Sequence, residues 1–259
     1  MFKARLFMVL ALCLSMGMTY AQATSWQDVP EIRAAVGDAT PIDGQLVVEL
    51  PGVVDDGSSL PMSVHIEHPM TSGNFIESIH VFAPLNPQIE VLDLQLSHTL
   101  GRAAFSTRVR INESQTVYAV ARTNQGEVYI GSTDIRVATG GCAMVSEGPS
   151  EVFGPARVAP IRDAQAGVPQ EVRTLISHPM ETGRREGADG NIVPRNLIET
   201  FVVEYHNEEV LRLRYHTAVA ENPFFQFYLA PETSTQAKLL WTEEVTGRQI
   251  ESVLNIDLI

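Results

Sequence analysis

The chain has 259 residues and an excess of acidic side chains, with 31 Asp and Glu against 18 Lys and Arg and a formal net charge of −13. This balance argues against nucleic-acid binding, because the phosphates of a nucleic acid would be repelled. It is compatible with attraction of a basic partner and with solubility alone. No apolar run in the sequence is long enough to predict a membrane-spanning helix.

The first residues have the pattern of a secretory signal peptide. Lys3 and Arg5 precede an apolar run, and a small-x-small cleavage pattern follows. We therefore expect residues 1–23 to be removed during export to the periplasm. Removal would also eliminate Cys13, take the formal net charge from −13 to −15, and leave Cys142 as the only cysteine of the mature protein.

The mature chain is predicted to begin with one helix and to continue in strands. Residues 26–36 predict a short helix with Ser25 as its N-cap and with its end near Gly37. Alternating apolar residues then indicate strands separated by turn-forming clusters. These strands are predicted at residues 45–50, 60–67, 75–82, 89–96, 104–111, 116–123 and 127–137. Short strands at such spacing are typical of an antiparallel β-sandwich.

The second half of the chain repeats the first. Residues 67–73 (Glu-His-Pro-Met-Thr-Ser-Gly) recur at 177–183 (Ser-His-Pro-Met-Glu-Thr-Gly). Residues 74–78 (Asn-Phe-Ile-Glu-Ser) recur at 196–200 (Asn-Leu-Ile-Glu-Thr). The offset grows from 110 to 122 residues, which places a 12-residue insertion at 184–195. Glycine, asparagine and proline in the insertion predict a polar loop.

This repeat predicts two domains of about one hundred residues each, a common domain size. We assign residues 24–137 to the first β-sandwich domain, residues 138–154 to a connecting arm and linker, and residues 155–259 to the second domain. The predicted fold class is therefore all-β, with two antiparallel β-sandwich domains after a short N-terminal helix. The second copy has no counterpart of the connecting arm, so we expect neither sandwich to need the arm.

The arm contains the most informative residue of the chain, Cys142. A single cysteine in an exported protein cannot form an internal disulfide, so it must be buried, paired with another molecule, or used chemically. Gly140 and Gly141 precede it and leave the backbone free to adopt many conformations. The sequence therefore predicts a thiol on a hinged arm that reaches roughly 17 Å from the predicted strand end at Val137.

The histidines are predicted to be structural. His68 and His178 occupy equivalent places in the two copies, and each is followed by proline. Equivalent placement favours packing at a turn or at the interface between the copies over a part in chemistry. His65 and His68 would lie on opposite faces of a strand, which makes them a poor metal pair. We predict no metal site.

Two segments carry a resemblance to a known protein family. Residues 175–183 (Leu-Ile-Ser-His-Pro-Met-Glu-Thr-Gly) and the later Asn-Pro-Phe at 222–224 resemble SoxZ. The first half, which ends in Gly140-Gly141-Cys142, resembles its partner SoxY. SoxY and SoxZ form the carrier of the bacterial sulfur-oxidation system, in which a cysteine on a glycine-rich arm bears the sulfur substrate covalently and visits successive enzymes.

The resemblance implies two immunoglobulin-like sandwiches fused in one chain, of the kind described as quinoprotein dehydrogenase-associated SoxYZ-like carriers. It implies that Cys142 is the carrier thiol and that Gly140 and Gly141 form the hinge of the arm. The expected partners are periplasmic redox enzymes and cytochromes of a thiosulfate-oxidising or quinoprotein dehydrogenase system. The sequence has no nucleophile elbow, phosphate-binding loop, haem site or zinc-protease motif, which agrees with a carrier that has no cofactor and no catalysis of its own.

Two departures from the family pattern leave other functions open. Ala143-Met144 replaces the second glycine pair of the arm, and the arm lies inside the chain, so it must enter a partner as a loop. Cys142 and Met144 are soft sulfur ligands suited to Cu(I), which is compatible with a periplasmic metal-handling module. A third interpretation is a scaffold for a dehydrogenase complex in which the thiol has no role.

Overall fold

The computed structural model describes residues 25–140, called here the first half, and residues 153–259, called the second half. One α-helix, α1 (Pro30–Val36), precedes nine strands of the first half. They are β1 (Ile42–Asp43), β2 (Leu46–Glu49), β3 (Val53–Asp56), β4 (Leu60–Ile66), β5 (Ile76–Phe82), β6 (Glu90–Leu96), β7 (Ala103–Val109), β8 (Gln115–Thr123) and β9 (Val128–Thr139). Short 3₁₀ helices lie at Trp26–Asp28 and His98–Leu100.

The second half contributes eight strands to the described part of the chain. They are β10 (Ala156–Val158), β11 (Ile161–Ala164), β12 (Gln170–Ile176), β13 (Ile198–Tyr205), β14 (Glu208–Tyr215), β15 (Phe224–Leu229), β16 (Thr235–Glu243) and β17 (Gln249–Leu258). The predicted all-β class with one short N-terminal helix is confirmed. No helix among the described residues is long and apolar enough to cross a membrane.

The N-terminal helix is shorter than predicted. Residues 26–28 form a 3₁₀ turn, and the N-cap of α1 is Val29 instead of the predicted Ser25. Pro30 explains the break, because proline lacks a backbone N–H and its fixed φ suits the first helical position. The predicted end is correct, since Gly37 closes the helix with a φ of 64°.

Seven strands match the predicted ranges closely, and burial alternates along several of them, including β2, β4 and β7. In β4, for example, Leu60, Met62, Val64 and Ile66 are buried and the residues between them are more exposed. The insertion at 184–195 lies in a loop that contains no named strand, as predicted. The backbone N–H of Gly187 donates to the carbonyl of Asn191 at 2.8 Å and closes the tip of this loop.

Two sheets run through both halves of the molecule. One has the order β1-β9-β8-β5-β6-β14-β13-β16-β17-β11, with β3 also paired to β9, and the other has the order β10-β12-β15-β7-β4-β2. The strand order of one half mirrors that of the other about the line where the halves meet, called here the seam. This is the arrangement that a two-fold-related repeat produces. The domain boundaries themselves stay a prediction from the sequence.

The seam between the halves is made of paired strands and a shared core. Strands β6 and β14 pair antiparallel from Leu96 opposite Leu211 to Leu92 opposite Tyr215, and β7 pairs with β15. Each half thereby covers an edge that the other would leave unpaired. The ring centroids of Phe105 and Phe225 are 5.7 Å apart across the seam, and one hydrophobic cluster includes residues from both halves.

Candidate functional site

The predicted site lies where the chain passes between the halves. Gly140 is the last described residue of the first half, whereas Gly141 and Cys142 lie outside the described residues. The chain is described again from Phe153. The two described ends of this connection are called the N-terminal root (Thr139 and Gly140) and the C-terminal root (Phe153 to Pro155).

The N-terminal root is part of the sheet. Strand β9 ends at Thr139, two residues later than predicted, because β3 pairs with it in parallel as far as Asp56 opposite Thr139. The backbone N–H of Gly57 donates to the carbonyl of Thr139 at 2.9 Å. A Cβ on Gly140 would lie 2.2 Å from the carbonyl oxygen of Asn112, so a side chain here requires the backbone to move. Close packing is therefore a second reason for glycine at this position.

A buried amide network holds the N-terminal root. The side-chain N–H of Asn86 donates to the carbonyl of Arg110 at 2.9 Å, and its oxygen accepts from the backbone N–H of Asn112 at 2.8 Å and from Gln115 at 3.1 Å. Gln115 in turn accepts from the backbone N–H of Leu85 at 2.8 Å. Buried networks whose members are all paired are rigid, so Asn112 offers Gly140 a fixed surface.

The C-terminal root is packed against the second half. Phe153 is buried, and its ring meets the ring of His178 edge-on at a centroid distance of 5.5 Å. The guanidinium of Arg248 lies 5.5 Å from the centroid of the Phe153 ring. The backbone N–H of Gly154 donates to the carbonyl of Ser177 at 2.8 Å. The chain therefore re-enters the fold directly on the repeated His-Pro-Met segment.

His178 is a fully buried structural residue. Its Nδ1 accepts from the backbone N–H of Met180 at 3.0 Å, so Nε2 carries the proton and donates to Glu243 at 3.3 Å. Burial lowers the pKa of His178, and the carboxylate of Glu243 opposes that shift only in part. Glu243 also accepts from Asn196 at 2.9 Å and from Thr246. Burial alone would raise the pKa of Glu243, but these hydrogen bonds outweigh that effect and hold the pKa below its ordinary value. Glu243 therefore stays charged.

The equivalent histidine of the first half has a different environment. His68 is half-buried, and its ring lies 5.9 Å from that of Tyr129. Both histidines lie at turns and contact neighbouring rings, in agreement with the predicted structural role. Only His178 is enclosed by a polar network, however, so the sequence repeat does not extend to the surroundings of the two rings.

Two further polar groups that sequence reasoning missed connect the halves. The buried guanidinium of Arg110 donates to the carbonyls of Met180, Thr217 and Val219 at 3.0, 3.3 and 2.9 Å. It therefore joins the end of β7 to two loops of the second half. No local pattern marks this arginine, because its acceptors are backbone atoms 70 to 109 residues away.

The second group is centred on Asp93 in β6. One carboxylate oxygen lies 2.7 Å from Nδ1 of His80, and the other lies 2.9 Å from Nε2 of His216 in the second half. Burial alone would raise the pKa of Asp93, but hydrogen bonds from His216 and His80 hold it well below its usual value. The described residues contain no group of three or more His, Cys, Asp or Glu that could hold a metal.

Two family models match successive parts of the chain. The family model described as "Sulfur oxidation protein SoxY" matches residues 32–142, and the model described as "Sulphur oxidation protein SoxZ" matches residues 158–253. The chain is a fused member of the SoxY and SoxZ families. The SoxY match ends on Cys142 itself. These families identify the chain as a carrier component of sulfur oxidation. No curated protein sequence matches the chain.

Two of the solved structures that match show distant likenesses. A putative superoxide reductase from Thermotoga maritima is 22% identical with a TM-score of 0.34, and the match covers 38% of this chain and 93% of that protein. A superoxide reductase (neelaredoxin) from Ignicoccus hospitalis is 15% identical with a TM-score of 0.33, covering 36% and 80%. Similarity at this level supports no inference about the function of the SoxYZ-like chain.

Proposed function

We propose that the protein is a periplasmic carrier that holds a sulfur-containing intermediate covalently on Cys142 and presents it to partner enzymes. The observation that carries the proposal is the SoxY match, which extends from α1 through β9 and ends at Cys142. The N-terminal pattern of residues 1–23 supports export, and the lone thiol of the mature chain supports chemistry outside an internal disulfide.

The N-terminal root indicates where a partner enzyme would dock. Because Thr139 is paired and Gly140 is packed, only two peptide units of the sequence separate this fixed part of the fold from Cys142. We therefore expect a partner enzyme that reaches the thiol to dock near the end of β9, beside β3.

Loading the carrier requires a redox partner. A thiolate is the reactive form of cysteine, so Cys142 must first lose its proton. Joining this thiolate to the outer sulfur of thiosulfate forms one S–S bond and releases two electrons. These electrons must pass to a redox protein, such as a cytochrome, because nothing among the described residues could accept them. The partners are therefore redox enzymes of a sulfur-oxidation or quinoprotein dehydrogenase system, and the carrier itself is not a catalyst.

Replacing Cys142 with serine tests the proposal. Periplasmic extract that lacks the protein would be supplemented with wild type, Cys142→Ser or Met144→Leu, and thiosulfate consumption would be measured. We expect the serine variant to restore no consumption while still binding the partner proteins that wild type captures, and we expect Met144→Leu to act as wild type. Full activity of Cys142→Ser would instead indicate a scaffold in which the thiol has no role. Equal loss in both variants, together with Cu(I) bound by wild type, would instead indicate a soft-metal module.

A further inference from the structure

A pocket of about 410 Å³ lies at the seam beside the C-terminal root. Its described lining combines one residue of β7 with residues of the second half, namely Arg108, Pro155, Arg157, Leu175, Ser177 and Asn222. Pro155 is two residues beyond Phe153, so the pocket borders the point where the chain returns from the arm. Neither half forms this lining alone.

The charge of the lining is opposite to that of the chain. Acidic residues outnumber basic ones by 31 to 18 in the sequence, yet the described lining has two arginines and no carboxylate. The ion pairs found among the described residues involve neither Arg108 nor Arg157. The guanidinium of Arg108 lies 5.7 Å from the centroid of the Phe224 ring, a contact that restricts its position. Two guanidinium groups are thus left to bind an anion.

The remaining polar groups of the pocket complete a set of donors. The side-chain oxygen of Asn222 already accepts from the backbone N–H of His178 at 3.1 Å, so its amide nitrogen is the group left to bind a ligand. The backbone N–H of Asn222 donates to the carbonyl of His178 at 2.8 Å and fixes the residue in place. Ser177 offers a hydroxyl, while its carbonyl is occupied by Gly154. Planar guanidinium groups bind two oxygens of one oxoanion at once.

We propose that this pocket binds a sulfur oxoanion through Arg108 and Arg157, with Ser177 and Asn222 as additional donors. The ligand class is a group with three or more equivalent oxygens on sulfur, as in sulfate, thiosulfate or a sulfonate. Such a group can come from solution or from the outer end of a moiety carried on Cys142. The site is built from described residues alone and does not require covalent carriage, whereas the choice of sulfur over another tetrahedral oxoanion rests on the proposed function.

Calorimetric titration with sodium sulfate and sodium thiosulfate tests the pocket. The titrated protein would be Cys142→Ser, at constant ionic strength maintained with chloride, so that binding is measured independently of carriage. We expect saturable binding of one anion, weakened at least tenfold by Arg108→Gln and by Arg157→Gln. Arg162→Gln is the matched control, because Arg162 is exposed and does not line the pocket. It should change the affinity less than twofold.

Non-saturable heats with both anions would overturn the proposal, as would equal weakening by all three arginine variants, which would indicate net charge alone. A second titration identifies the source of the ligand. The Cys142 thiolate of wild type attacks an inner sulfur of tetrathionate, which forms Cys–Sγ–S–SO₃⁻ and releases thiosulfate, without any other oxidant. If this tethered sulfonate occupies the pocket, added sulfate should bind at least tenfold more weakly than to the unmodified protein. Unchanged sulfate affinity would identify the pocket as a site for the free anion.

Discussion

Arg110 provides a direct test of how the halves are joined. Replacing it with methionine keeps much of the side-chain volume but removes the guanidinium that donates to the carbonyls of Met180, Thr217 and Val219. The variant leaves these carbonyls without their charged donor inside the seam. We expect a loss of stability that exceeds the effect of an ordinary surface substitution.

The magnitude follows from the contacts. Hydrogen bonds to charged groups contribute about 1.5–3 kcal/mol each, and the 3.3 Å bond to Thr217 is weaker than the bonds of 3.0 and 2.9 Å to Met180 and Val219. Methionine leaves no unpaired charge behind, but each buried carbonyl that loses its donor costs about 1–3 kcal/mol. We therefore expect Arg110→Met to reduce the free energy of unfolding by about 3–5 kcal/mol and the melting temperature by about 10 °C.

Urea unfolding followed by circular dichroism measures this loss. Arg108→Met is the matched control, because Arg108 lies two residues earlier, near the end of β7, but is exposed. Its loss should stay below about 1 kcal/mol. If Arg110→Met costs less than 1 kcal/mol, the guanidinium does not hold the halves together and the account of the seam is wrong.

Three further substitutions test other contacts. His178→Leu should destabilise the protein by about 2–4 kcal/mol, because the buried carboxylate of Glu243 and the backbone N–H of Met180 lose their hydrogen-bond partner. His68→Leu should cost under about 1 kcal/mol. Equal losses in urea unfolding would contradict the difference between the copies. Gly140→Ala should cost about 1–3 kcal/mol by thermal melting because its Cβ would lie 2.2 Å from a backbone oxygen, while Gly73→Ala, which meets open space, should be neutral. Asp93→Asn should cost about 2 kcal/mol at pH 7. Because the folded-state pKa of Asp93 is depressed, the greater stability of wild type over Asp93→Asn is present above about pH 4 and should shrink as the pH falls below it. A difference in unfolding free energy that stays constant from pH 7 to pH 3 would refute this.

Local patterns predicted the principal strands of the first half but missed the short ones. Strands β4 and β8 alternate buried and exposed residues or are rich in β-branched residues, which marks them in the sequence. Strands β1, β3 and β11 have two to four residues; β1 and β3 are exposed over most of their length, and β11 buries only Ile161 and Ala164 at its ends. They form by pairing in parallel with β9 or β17, and such pairing leaves no local pattern.

The site could be predicted only in part. The cysteine count after the expected removal of residues 1–23 identified Cys142 as the candidate, and the glycines before it indicated a hinge. The packing of Gly140 against Asn112 and the pairing of Thr139 depend on residues that are distant in sequence. The same is true of the Arg108 and Arg157 pocket, whose two arginines are 49 positions apart and belong to different halves.

The most direct test of the carrier function is the intact mass of the protein purified from its native periplasm, measured before and after treatment with a thiol reductant. We predict a reducible adduct that maps to Cys142 and has the mass of added sulfur or of an oxidised sulfur group. A free and unmodified Cys142 in cells that are oxidising sulfur compounds would contradict covalent carriage.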